Sequence, residues 1–263
     1  MSKKIKVEVL LSTMHREDVS FLDKMNIQSD VLVINQHDRF AYQEFDYNGH
    51  RVRFITVNQR GLSKSRNLAL SYAEGDICLL ADDDIVYEDG YPEMVKKAFE
   101  DSPKAGIVVF NTKMLNSEEA KFRKPIKKIR KAPSYSFYGS VRIAFKRETV
   151  TKNGIFFNQF LGAGTPYGGG EDSLFIKDCR EHHIGIYENP NYISSVDYST
   201  STWFNGINER YYFNIGIFIA LAFRRFKWLY ILYYLITSRK RSNLSVKIVK
   251  KKIKEGIKFF KSL

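Results

Sequence analysis

Cysteine is scarce. Cys78 and Cys179 are the only two in 263 residues, too few for a disulfide framework and in keeping with a reducing cytoplasm. Cys78 lies within an apolar stretch and reads as a small core residue. No apolar segment follows Met1-Ser2-Lys3-Lys4, so no signal peptide is expected. Long hydrophobic runs are also missing. Tyr211 to Phe223 and Trp228 to Ile236 are apolar, but Arg224, Arg225 and Lys227 separate them, and neither run reaches the roughly 18 residues that crossing a bilayer requires. No internal repeat is visible. Acidic residues are nearly absent from the end of the chain: from Arg239 to Leu263 there are ten Lys or Arg against one acid, Glu255, which is +9 of the net +13. The other 238 residues carry only +4, so the body of the chain has no comparable bias. A basic tail of this kind contacts phosphates, on lipid or on nucleic acid. Aromatic residues beside arginines and lysines over 211–236 favour the lipid headgroup level. The expectation is therefore peripheral contact with an anionic membrane, and no nucleic acid. A helix pair packed on the rest of the chain, or a dimer contact, is the competing reading.

The remaining composition is that of a globular protein. Hydrophobic residues make up 44%, enough for a real core in one large domain or one domain plus an appendage. Strand and helix signals alternate along the first half. Ile5 to Leu11, Val31 to Ile34, Arg51 to Val57, Ile77 to Leu80 and Gly106 to Phe110 read as strands. Glu17 to Met25, Ser63 to Ala73 (with a serine N-cap, ended by Gly75) and Tyr91 to Glu100 read as helices. Repeated βαβ units imply a mostly parallel sheet flanked by helices, with ligands beyond the C-terminal strand ends. Ser12-Thr13, Asn35-Gln36 and Asp82-Asp84 then share one rim. Lys113 to Ser136 is polar and basic and reads as a long surface excursion. Val141 to Phe145 resumes as a strand, and the glycine-rich Gly162 to Gly170 leads into a helix over Glu171 to His183.

The run Asp82-Asp83-Asp84, directly after the apolar Ile77-Cys78-Leu79-Leu80, places several carboxylates at one sheet edge. Such a cluster repels itself unless a cation sits there, and hard oxygen ligands at short spacing suit Mg²⁺ or Mn²⁺, which usually also hold substrate phosphates. An exposed acidic turn is the bland alternative. His182-His183 is a poor chelating pair, because adjacent helical residues point in different directions.

Three further segments accompany the aspartates: Gly61-Leu-Ser-Lys-Ser-Arg-Asn67, Gly169-Gly-Glu-Asp-Ser-Leu-Phe175 and Ser199-Thr-Ser-Thr-Trp203. In order and spacing they resemble the inverting GT-A glycosyltransferases of family 2, over roughly Ile5 to Phe204. The resemblance implies an α/β GT-A fold, with residues 1–205 as the catalytic domain (1–111 the nucleotide-sugar half, 112–205 the acceptor half). Residues 206–263 would form a basic, aromatic helical appendage that associates with the membrane. It implies a nucleotide-sugar donor, with UDP the favoured carrier, and a divalent cation (Mn²⁺ or Mg²⁺) at Asp82, Asp83 and Asp84. Asp82 and Asp84 match the family's Asp-x-Asp directly; in the alternative register Ala81 replaces the first aspartate and Asp83 becomes the metal ligand. Thr13 resembles the residue that touches the nucleoside. Asn35, with Gln36 beside it, stands where the family usually has an acid that accepts from the base. Arg66 resembles the arginine near the base or phosphates, with a helix-surface salt bridge as its alternative. Asp172, next to Glu171, resembles the general base that deprotonates the acceptor hydroxyl; a pair of acids capping a helix is the alternative. Asp197 lies near where some relatives place an extra metal ligand.

The processive synthases of the family carry a Gln-x-x-Arg-Trp element near Trp203. Its glutamine and arginine are absent here, which favours transfer of one sugar per encounter. The expected acceptor is a saccharide or lipid-linked saccharide of a surface polysaccharide, at the inner face of the cell membrane, with Lys121 to Lys131 around its phosphates. Two rival readings are a haloacid-dehalogenase-like phosphatase, whose Asp-x-Asp normally follows the first strand, and a non-catalytic protein that binds membrane or nucleic acid through the tail.

Overall fold

The computed structural model describes residues 5–116, 124–197, 206–223 and 225–263. Its elements run β1 (Val7–Met14), α1 (Phe21–Met25), β2 (Asp30–Gln36), β3 (Ala41–Tyr47), β4 (His50–Val57), α2 (Leu62–Tyr72), β5 (Ile77–Asp82), β6 (Ile85–Tyr87), α3 (Tyr91–Asp101), β7 (Ile107–Leu115), β8 (Arg130–Lys131), β9 (Ile143–Lys146), α4 (Arg147–Lys152), α5 (Glu171–Glu181), β10 (Ile186–Asp197), α6 (Glu209–Ala222), α7 (Lys227–Arg241) and α8 (Val246–Lys261). The ten strands form one sheet in the order β3-β4-β2-β1-β5-β9-β7-β10-β6, with β8 on β10. Strands β1, β2 and β5 are buried at almost every position because both sheet faces are covered. Val9, Leu11, Val31, Val33 and Leu79 pack into one buried cluster with α1 and α3, and Leu10, Leu32, Ile34 and Leu80 into another with α2 and α5.

The sheet is mixed rather than mostly parallel. β4, β2, β1 and β5 are parallel neighbours, as are β7 and β10, while β3, β6, β8 and β9 pair antiparallel. The parallel half does place the expected residues on one rim: Thr13 is in register with Asn35, and Ser12 with Asp82. β3 was not foreseen. It is a polar, largely exposed edge strand whose pattern lacks buried alternation, so periodicity gives no signal for it. α1 begins at Phe21 rather than Glu17.

Three local expectations are also corrected. Ser63 is not the N-cap of α2; Gly61 is, and the Ser63 hydroxyl instead donates to Leu161 O at 3.1 Å. Gly75 lies beyond the helix end at Ala73, and its missing side chain makes room for Glu8, whose Oε2 accepts from the N–H groups of Glu74 and Gly75. The basic excursion is anchored: β7 continues through Leu115, Ile126 N donates to Asn111 Oδ1, and β8 pairs with β10. Residues 117–123 of that excursion and the Ser199 to Trp203 motif lie outside the described residues. Both cysteines are free and buried, and His182 and His183 are exposed.

The first apolar run near the C-terminus turns inward. In α6, Tyr212, Ile217 and Ile219 are buried together with Val249 and Ile253 of α8, against Leu161 and Leu174 of the main body. Gly216 and Gly256 face each other, and a Cβ on either would run into the opposing backbone carbonyl, of Ile253 or Phe213. Small residues here allow backbone-to-backbone contact, which is why the α6–α8 pair is close. No helix among the described residues is long and apolar enough to cross a membrane.

Candidate active site

The sequence places Arg66 one turn into α2, and α2 packs against β1 and β2, so its guanidinium is carried under the rim. Arg66 is 2% exposed. Its Nη1 donates to Asp172 Oδ1 at 2.7 Å and to Glu171 Oε1 at 3.3 Å. Its Nη2 donates to Asp82 Oδ1 at 3.0 Å and to the Ser140 hydroxyl at 2.6 Å. One cation therefore ties the end of β5 to the start of α5, two segments 90 residues apart in sequence. Asp172 is fixed on its other oxygen as well, because Ser140 N donates to Oδ2 at 2.9 Å. Arg66 is thus neither exposed on a helix surface nor free for a base; it organises three carboxylates.

The electrostatics follow from one guanidinium among three acids. Asp82, Asp172 and Glu171 together outweigh the cost of burial and hold Arg66 above its ordinary value. Desolvation, with Asp172 and Asp83 nearby, pushes Asp82 up despite Arg66. Burial and then the Asp172 carboxylate push Glu171 up to about 7. A raised carboxyl pKa means the folded state holds a proton that the unfolded chain has released between its ordinary value of 4.5 and about 7. Stability from this group is complete below the unfolded value and is lost as pH rises through about 7. Glu171→Gln removes that loss. Thermal melts across this pH range are expected to fall for the wild type relative to the variant, and parallel curves would show that Glu171 is not protonated in the fold.

A second group lies on the same rim, at the ends of β1 and β2. Asp83 accepts from Arg16 Nη2 at 2.7 Å and Nε at 3.0 Å, and from the Thr13 hydroxyl. Asn35, fully buried, uses its amide on the backbone of Arg16: Oδ1 accepts from Arg16 N at 3.1 Å and Nδ2 donates to Arg16 O at 2.8 Å. Gln36, also buried, accepts from Gly61 N at 2.7 Å. Thr13, Asn35 and Gln36 are therefore clamps beneath the rim that set the loop after β1 and the start of α2. Arg16 and Ser140 are the contributors that sequence reading missed. Arg16 follows a strand end and is cationic, a usable signal; Ser140 offers none.

The three aspartates do not converge as one ligand set, and among the described residues no three acidic, histidine or cysteine side chains are placed to hold a metal ion between them. Asp82 is engaged by Arg66 and Asp83 by Arg16. Asp84 stands differently. It is exposed, and no cationic side chain among the described residues pairs with it. Surrounding protein withdraws water, and Asp82 and Asp83 add negative charge, pushing Asp84 up to about 6. An uncompensated carboxylate beside two others fits a hard divalent cation that takes one or two protein carboxylates and completes its shell with phosphate and water oxygens. Asp197 is not part of this group; it accepts from Asn116 Nδ2 at 3.1 Å.

The loop before Asp172 is built by close approach. Gly162 has φ 121°, and a Cβ there would sit 3.1 Å from both the Glu171 carboxyl carbon and the Ser63 hydroxyl. Gly170, the N-cap of α5, has φ 124° and abuts the Phe218 ring of α6. Leu62 N donates to Ala163 O at 3.0 Å, joining this loop to α2. The C-terminal helices therefore buttress the segment that delivers Glu171 and Asp172.

Comparison with known proteins bears on the family and the fold. Residues 35–161 match the family model Glycosyl transferase family 2; Asn35, Arg66 and the three aspartates fall inside the match, Thr13 and Asp172 outside it. No curated protein matches the sequence. The fragment 1–349 of S. aureus TarS in complex with UDP-GlcNAc superposes with a TM-score of 0.60 at 14% identity, over 96% of this chain and 72% of that one. The same fragment with UDP gives 0.56 at 16%, over 98% and 72%. S. aureus TarS in a longer form gives 0.57 at 15%, over 92% of this chain and 44% of that one, so the present chain spans less than half of it. At these identities the likeness establishes the fold. The family match runs from the end of β2 through the aspartates, and the fold around it is that of the TarS structures, so over this stretch the chain is similar to the glycosyltransferases of family 2.

Proposed function

We propose that this enzyme moves a hexosyl or N-acetylhexosaminyl group from a UDP-sugar, with inversion, to a hydroxyl of a saccharide or lipid-linked saccharide, in polysaccharide biosynthesis at the inner face of the cell membrane. The observation that carries this reading is Asp172, one oxygen held by Arg66 and the other by Ser140 N, across from Asp82 at the end of β5. As the acceptor oxygen attacks the anomeric carbon, Asp172 takes its proton. The bond from that carbon to the diphosphate oxygen breaks, and the diphosphate leaves with the electron pair. Asp84, with Asp82 beside it, would hold Mn²⁺ or Mg²⁺, and such an ion would supply positive charge for the departing diphosphate. Arg16 and Asp83 shape the nucleotide side, residues 1–111, and residues 112–205 take the acceptor. A cavity of about 320 Å³ supports the latter: its cationic lining residues are Lys113, Lys124 and Arg142, of which Lys113 pairs with Glu88 at 2.8 Å. Arg142 ends the turn that Ser140 begins. Such a lining suits an acceptor bearing phosphate.

The test is nucleotide binding by thermal shift, with and without Mn²⁺. UDP is expected to stabilise the wild type only with the metal, by about 1.4 kcal/mol at tenfold excess over Kd, and to do so much less in Asp84→Asn. A folded protein that no nucleoside diphosphate stabilises would overturn the proposal.

A further inference from the structure

The second apolar run, α7, behaves unlike the first. Its inner side, with Tyr230, Ile231, Tyr234 and Leu235, packs on the α6–α8 cluster. Its outer side is left open: Trp228 is 62% exposed and Ile236 62%, with Leu229, Leu232 and Tyr233 between them also exposed. The spacing 228, 229, 232, 233, 236 is one face of a helix, since residues three and four apart are neighbours. Phe226, just before the helix, adds a further exposed ring on a left-handed backbone, φ 57°, a conformation unusual for an aromatic residue. An apolar face this continuous is not a normal solvent-exposed surface.

Charge identifies its occupant. Residues 225–263 contain twelve Lys or Arg and a single acid, Glu255, which already pairs with Lys252 at 3.0 Å. Arg225 and Lys227 stand at the start of the face and Arg239 and Arg241 at its end. On α8, exposed Lys247, Lys250, Lys254, Lys258 and Lys261 form a stripe on the side away from the buried Val249 and Ile253. A second copy of this chain would bring the same cationic surface against itself. A partner that is apolar within and anionic at its surface matches both features, as an anionic bilayer does.

We propose that the outer face of α7 lies in the plane of an anionic membrane, with Trp228, Leu232 and Ile236 entering the headgroup–acyl boundary and the flanking arginines and lysines on lipid phosphates. The membrane element is thus one face of one helix. α6 and α8 are core, which is why truncation is an unsuitable probe. This docking does not depend on the transferase reaction, so each fails or stands separately.

The experiment is co-sedimentation of the full chain with phosphatidylcholine vesicles with and without phosphatidylglycerol, for the wild type, for Trp228→Ser/Leu232→Ser/Ile236→Ser, and for Lys250→Gln/Lys254→Gln/Lys258→Gln. The wild type is expected to bind the anionic vesicles and to be released by salt. The serine variant, altered only at exposed positions, should melt as the wild type does and lose about a hundredfold in partitioning; the glutamine variant should keep a weaker, less salt-sensitive binding. Wild-type binding that is equal with and without anionic lipid, or undiminished in the serine variant, overturns the proposal. So does a wild-type dimer that the serine changes dissociate in the absence of vesicles, because the face would then belong to a second copy.

Discussion

Asp172→Asn is expected to lower the transfer rate about a thousandfold, the middle of the range for losing a positioned general base, while donor affinity stays nearly unchanged. The asparagine is close in size and still offers an oxygen to Arg66 or to Ser140 N, so the local geometry survives while the proton acceptor is lost. It also removes one of three negative charges around a single guanidinium, so stability should hold or rise. Initial rates of sugar transfer, together with UDP titration, check this. A pair of acids that merely capped α5 predicts the opposite pattern, with stability lowered and turnover retained. Activity within about tenfold of the wild type would remove Asp172 from the role of base.

Arg66→Met is expected to have the largest effect on stability, a loss of about 3–5 kcal/mol, because removing one partner of a buried ionic cluster leaves the others uncompensated. Arg66 is almost wholly buried, and both terminal nitrogens are committed, to Asp82, Glu171, Asp172 and Ser140. Part of the cost is reduced by water at Asp82, whose side chain is 33% exposed. The pH dependence has a definite sign. Without the guanidinium, the carboxyls hold protons more tightly in the fold than in the unfolded chain. The variant should therefore regain stability as pH falls and lose it as pH rises. Urea unfolding at neutral and mildly acidic pH measures both. Arg66→Lys keeps a charge but lacks the planar fork that reaches several acceptors at once, so it should recover only part of the loss. A deficit below about 1 kcal/mol for Arg66→Met would mean that the cluster is solvated.

How much of this was legible in the sequence depends on the range of the interactions. The strands at Val31 to Ile34 and Ile77 to Leu80 are continuous apolar runs, readable because both faces are covered. Their ends carry Asn35 and the aspartates to a shared rim because parallel pairing aligns them. β3 was invisible because an exposed edge strand has no buried face to impose alternation. The position of Asn35, Gln36 and Thr13 at strand ends suggests ligand contacts; that they also hold Arg16, Gly61 and Asp83 in place depends on loops folding over those ends. The two apolar runs near the C-terminus look alike in composition, yet one is core and the other leaves a face open.

The order of the parts is readable along the chain: alternating strands and helices, three aspartates at a strand end, two acids at a helix start, and a cationic tail with aromatic residues. Each of these is a pattern among residues a few positions apart, where local geometry decides. Folding in three dimensions is what sets Arg66 between Asp82 and Asp172, places Ser140 on the candidate base, and lets Gly216 and Gly256 dock α8 into the core while α7 keeps an open side. Those outcomes come from side chains tens of residues apart meeting in a close-packed interior, where burial sets the charge state and the partner of every polar group.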